Sequence, residues 1–165
     1  MSKPLPPVRE TAVLSIDAYR AEPSAERFGP TGYPGLLGLR NREPLSLVGQ
    51  VNQGFAYQTV ERFQRRTGLT AAEVARLIQV PQRTLTRRKV EGRLAPEESD
   101  RLLRAARVVA AGVDLFEGNV VAARHWLTTG HPALGGGVPV DLATTDVGAR
   151  EVEALIGRLE HGIPS

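Results

Sequence analysis

The sequence predicts an all-α protein with an irregular N-terminal arm (residues 1–44), a central helix-turn-helix region (45–112) and a small helical C-terminal domain (113–165). Three observations carry that reading. Apolar residues recur at three- and four-residue steps from Leu45 to Leu159, helix caps punctuate those runs, and no segment alternates convincingly as a strand.

The arm is dense in breakers, among them Pro4, Pro6, Pro7, Pro23, Pro30, Pro34 and Pro44 with Gly29, Gly32, Gly35 and Gly38. Short apolar pieces such as Val13–Ile16 and Leu36–Leu39 are candidates to dock on a neighbour. From Leu45 the residues Leu45, Val48, Asn52, Phe55, Thr59 and Phe63 trace one helix ending near Thr67-Gly68, with Gly54 inside it. Gly54 costs such a helix roughly 1 kcal/mol against Ala and offers a close contact in exchange. "LTAAEV" then opens a short helix by a capping box of Thr70 with Glu73, and Leu69 can staple onto Val74. Gln79-Val80-Pro81 is a turn, Gln82 to about Val90 is a second helix, and Gly92 ends it. Many such turns hold Gly where this chain has Gln79, and a left-handed backbone there costs around 1–2 kcal/mol. "APEE" starts a longer helix with Pro early and acids in the first turn. Its buried face is Leu102, Leu103, Ala106, Val109, Ala110 and Val113. A helix from Asn119 through Leu127, a loop over Thr129–Pro139, and a helix from Thr145 or Asp146 to Leu159 complete the chain. Trp126, spaced with Val121, Ala122 and Leu127, suits a core position better than an exposed anchor.

A chain of 165 residues can bury a core, and 41% hydrophobic with 24% charged residues is ordinary globular composition. Aromatics are only 5%, so that core is aliphatic. The absence of cysteine excludes disulfides and thiolate chemistry and suits a reducing, cytoplasmic compartment. "MSKPLPPVRE" lacks the apolar stretch of a signal peptide, and no apolar run nears the ~18 residues of a membrane span. The net charge of +3 is unevenly spread. Arg62–Arg107 holds 12 Lys/Arg against 5 Asp/Glu, a net of +7, whereas Val108–Ser165 is net −4 and Met1–Glu61 is neutral. A basic middle with an acidic end points to two partners, a polyanion for the first and something different for the second.

The basic middle has the form of a helix-turn-helix, in which the second helix enters the major groove while the first braces it. Gln82, Arg83, Thr86, Arg87 and Lys89 fall opposite Leu85, with Thr84 and Arg88 toward the edges. Arg suits guanine O6/N7, Gln suits adenine, and Thr or Lys suits phosphate. A charge run is usually only a solvated face. Here the paired short helices, the small Ala75 at their crossing and the +7 segment agree on DNA. Catalysis has little support, and neither cofactor nor metal is expected. His125, His131 and His161 lack the spacing of a helical metal site, and Gly135-Gly136-Gly137 lacks the Lys-Ser/Thr of a phosphate loop.

"WLTTGHPALGGGVPVDLATTDVGAREVEALIGRLEHGIPS" resembles the C-terminal toxin-binding domain of the Xre/MbcA/ParS antitoxin family. The ordered landmarks are Trp126-Leu127, Pro132, Leu134-Gly135-Gly136, Pro139, Asp141-Leu142, Gly148, Val152 and Gly162. The extra Gly137, and His161 where an aromatic is common, depart from that pattern. The resemblance implies an antitoxin that silences a co-encoded, NAD-degrading RES-domain toxin, dimerises, and represses its own operon through operator DNA. It implies toxin contacts at Trp126, Leu134, Pro139 and Asp141, and along the tail Glu160, His161, Gly162, Ile163, Pro164 and Ser165. The alternative is a stand-alone helix-turn-helix regulator whose C-terminal domain dimerises or senses a ligand. A neighbouring toxin gene and rescue from that toxin separate the two.

Overall fold

The computed structural model describes residues 28–162, so Val13–Ile16 and Ile163–Ser165 lie outside the described residues. The elements are α1 (Gly29–Gly32), a 3₁₀ turn (Tyr33–Leu37), α2 (Pro44–Gln53), α3 (Gln58–Thr67), α4 (Ala71–Leu77) and α5 (Gln82–Glu91). They continue with α6 (Pro96–Leu115), α7 (Val120–Leu127), a 3₁₀ turn (Pro132–Leu134), α8 (Pro139–Leu142) and α9 (Asp146–Glu160). Among the described residues there is no strand, only an isolated antiparallel bridge between Ala56 and Arg93.

The longest helix, α6, organises the rest. Pro96 at its first turn needs no N–H partner there, and Glu98 accepts from the Ala95 N–H at 2.8 Å, so the start is capped by its own side chain. Leu102, Ala106, Val109, Ala110 and Val113 are buried as their spacing predicts, and Leu103 is half-buried. Around α6 pack the 3₁₀ turn Tyr33–Leu37, α7 and α9. Leu36 and Leu37 are fully buried, so the docking expected of this piece of the arm occurs. Asp114, near the end of α6, accepts from the N–H groups of Phe28 and Gly29, both at 2.6 Å. Residues 28–39 thus belong to the core, and the boundary expected at 112/113 falls inside the continuous α6.

The single helix expected from Leu45 to Phe63 is two helices. Gly54 has φ +78°, and a Cβ there would stand 2.2 Å from the Leu94 carbonyl oxygen. The chain therefore leaves α2 at Gln53 and runs beside residues 92–94. Tyr57 N–H donates to Gly92 O and Leu94 N–H to Phe55 O, each at 2.9 Å. The Phe55 N–H finds the hydroxyl of the fully buried Ser99 at 2.8 Å. The interrupted ladder is satisfied from α6, which is why the break is tolerated in the core. Helical spacing ran through Gly54 because residues on both sides face the same interior.

Candidate nucleic-acid and partner-binding surfaces

α4 and α5 form the expected helix-turn-helix. Thr70 Oγ1 accepts from Glu73 N–H at 3.2 Å and Glu73 Oε2 accepts from Thr70 N–H at 2.7 Å, the reciprocal box that starts α4. Burial alone would raise the Glu73 carboxyl, but the Thr70 bonds and Arg124 hold it below the ordinary carboxylate range. Val74, Ala75, Leu77, Ile78 and Leu85 are buried where the two helices cross. Gln79 adopts φ +56°, the left-handed conformation anticipated for this turn. Its side chain reaches across the molecule, the amide Nε2 donating to the Thr144 carbonyl at 2.9 Å.

Leu85 anchors α5, and Gln82, Arg83, Thr86, Arg87 and Lys89 are exposed on its outer face, with Thr84 half-buried. Arg87 is held loosely by Glu91 at 3.5 Å and Lys89 by Glu61 at 3.6 Å, and both side chains remain mostly in solvent. Arg88 differs from its neighbours. Its guanidinium turns inward, Nε and Nη2 donating to the Glu98 carboxylate at 2.9 and 3.0 Å and Nη1 to Glu91 at 2.7 Å. Burial would raise the Glu98 carboxyl, but Arg88 and the Ala95 N–H hold it below the ordinary range. The hydrogen bonds from Glu98 and Glu91 keep Arg88 charged by raising its pKa. The expectation that Arg88 belongs with the outward cations is thereby corrected: its charge is consumed by the α5–α6 junction.

The C-terminal half closes on α4 from the other side. Arg76 pairs with Asp141 at 3.1 Å, and Arg124 with Glu73 at 3.2 Å. Together with the Gln79 bond these contacts join the helix-turn-helix to α7 and α8. Sequence reasoning missed them, and the one available signal was a Gln where a turn of this type favours Gly. Trp126 is half-buried, tilted toward Phe116 at 6.4 Å and stacked on His131 at 4.5 Å between ring centroids. His131 Nε2 donates to the Trp126 carbonyl at 2.8 Å, which closes the intervening loop. Val121, expected beside Trp126 in the core, is 81% exposed, whereas Ala122 and Leu127 are buried. Leu134 packs half-buried on the core and Pro139 is buried at the start of α8. Glu160, His161 and Gly162 are exposed at the end of α9. Between α6 and α9 lies a groove of about 490 Å³ lined by Tyr33, Arg107, Asp114, Glu153, Ile156 and Glu160, with Arg107 paired to Glu153. Among the described residues no group of three or more His, Asp or Glu side chains is placed to hold a metal ion. No helix among them is long and apolar enough to cross a membrane.

Two family patterns match along the chain in the order the structure lays them out. Residues 46–107 match the antitoxin Xre-like helix-turn-helix domain, and residues 111–162 match the antitoxin Xre/MbcA/ParS C-terminal toxin-binding domain. An antitoxin Xre of Yersinia enterocolitica is 40% identical over 128 residues, covering 77% of this chain and 86% of its own. The chain belongs to the Xre antitoxin family. An antitoxin Xre of Photorhabdus laumondii is 33% identical over 70% of this chain and 78% of its own, and one of Pseudomonas putida is 31% identical over 68% and 70%. In this Xre-family chain the two matched units meet within α6, so the helix that stacks behind the helix-turn-helix also carries the start of the toxin-binding domain.

Proposed function

We propose that this Xre-family antitoxin neutralises a co-encoded RES-domain toxin that degrades NAD, and that it represses its own operon as a homodimer on operator DNA. The observation that carries the reading is the presence of both units on one chain: a helix-turn-helix with an outward cationic helix, joined to a domain of the toxin-binding family. Gln82, Arg83, Thr84, Thr86, Arg87 and Lys89 form the DNA face, read by base contacts from Arg and Gln and phosphate contacts from Thr and Lys. The toxin side is the exposed end of α9 with the groove beside it. Glu160 belongs to both, and the tail Glu160–Ser165 follows directly. Its acidic character complements a cleft built for nucleotide phosphates. Trp126 and Leu134 shape this half from within, and Pro139 and Asp141 set α8 against α4.

Co-expression with the neighbouring RES-domain protein, followed by affinity purification and measurement of cellular NAD⁺, tests the proposal. A stable complex with NAD⁺ preserved is the expected result. Loss of both on deleting Glu160–Ser165 would locate the inhibitory element in the tail. Depletion of NAD⁺ despite abundant antitoxin would overturn the proposal and leave a stand-alone regulator.

A further inference from the structure

Five large hydrophobic side chains among the described residues stand in solvent: Leu45, Val48, Val90, Val121 and Val147. Leu45 and Val48 alone share a helix one turn apart, α2, where they are 84% and 56% exposed. The ten residues of α2, "PLSLVGQVNQ", include no charged side chain, although a helix with a solvent face normally carries polar or charged residues there. The next helix, α3, carries Glu61, Arg62, Arg65 and Arg66 in the same length. On the inner side of α2, Leu47 is buried and Val51 packs against the core, so the outer stripe is not needed to hold the helix in place. Gly49 adjoins Val48, and nothing lies within 4 Å of the position its Cβ would take. Asn52, one turn on, is exposed.

We propose that the Leu45–Val48–Asn52 face of α2 is the surface on which two copies of this chain meet. A two-fold interface sets a patch against itself, so a charged residue near the axis meets its own like charge. α2 has none to meet. Antiparallel apposition of two α2 helices brings opposite ends of their macrodipoles together, and the Asn52 amide both donates and accepts, so it can bond its own copy. The side-chain-free Gly49 lets the second backbone come close. Arg93 Nη1 donates to the carbonyl of Gln53 at 3.1 Å and to that of Gly54, which fixes the end of α2 to the segment following α5. A dimer joined through α2 therefore sets the spacing of two α5 helices, as a symmetric DNA site requires. This deepens the homodimer reading above and does not depend on the toxin. Two apolar side chains per copy make a small patch, so the dimer dissociates on dilution.

Sedimentation equilibrium of the full chain over a wide concentration range tests it. The wild type is expected to pass from monomer to dimer, and Leu45→Glu and Val48→Glu to remain monomeric with an unchanged helical circular dichroism spectrum. The chain lacks cysteine, so Val48→Cys provides a second measurement: oxidation should yield a disulfide-linked dimer, and Val147→Cys should not. A wild type that stays monomeric, glutamate variants that dimerise like it, or equal cross-linking at both cysteine positions would overturn the inference. A monomeric wild type that still neutralises its toxin would do so while leaving the antitoxin reading intact.

Discussion

Arg87 and Arg88 are neighbours in the chain with opposite roles in the fold. Arg87 is 62% exposed at its side chain, whereas Arg88 is 21% exposed and its partner Glu98 only 8%. Arg88→Ala leaves Glu98 buried without its cation and should cost about 2–4 kcal/mol in urea denaturation. Arg87→Ala should leave that midpoint unchanged and weaken operator binding by about 1–3 kcal/mol if the side chain reads a base. Equal effects of the two substitutions on stability would contradict the assignment. The same junction sets a pH dependence. The Glu98 carboxyl sits below its ordinary value, so its stabilisation is present above the unfolded pKa near ~4.3 and is lost as pH falls through the folded one. Urea midpoints measured downward from about pH 6 should therefore fall more steeply below about pH 4 for the wild type than for Glu98→Gln. Parallel curves would show that the pair does not contribute. Adjacent arginines in a charge run look alike in sequence, and only the packing of α6 behind α5 separates them.

At the scale of elements, local chemistry fixed the helix ends and tertiary contact fixed the breaks. The capping box of Thr70 and Glu73, Pro96 at the start of α6, Asn119 and Thr145 as N-caps, and Gly92 after α5 are all local signals, and each stands where the sequence places it. The division between α2 and α3 is different, because it answers to Leu94 and Ser99, some 40 residues away. Gly54→Ala should cost at least about 2–3 kcal/mol, since it adds a left-handed strain to a Cβ within 2.2 Å of a carbonyl oxygen. A melting temperature unchanged by Gly54→Ala would mean that the break is not fixed by this contact. The links from α4 to the C-terminal half, Gln79 to Thr144 and Arg76 to Asp141, were equally invisible, since each joins residues 65 positions apart.

Across the whole molecule, two functions share one scaffold at different ends. The cationic α5 face lies on the helix-turn-helix, while the groove and the end of α9 lie on the other side of α6. The charge asymmetry of the chain made this division legible before any fold was known, and the family landmarks supplied the partner of the acidic end. Which exposed residues touch that partner was not legible, because Trp126, Pro139 and Asp141 are landmarks that the structure engages in internal packing or pairing. The most direct test of the account separates the two functions. Arg83→Ala/Arg87→Ala should lose retention of operator DNA and still preserve growth and NAD⁺ when the RES-domain protein is co-expressed. Loss of protection together with DNA binding, in a variant that remains folded, would contradict a molecule with two independent faces.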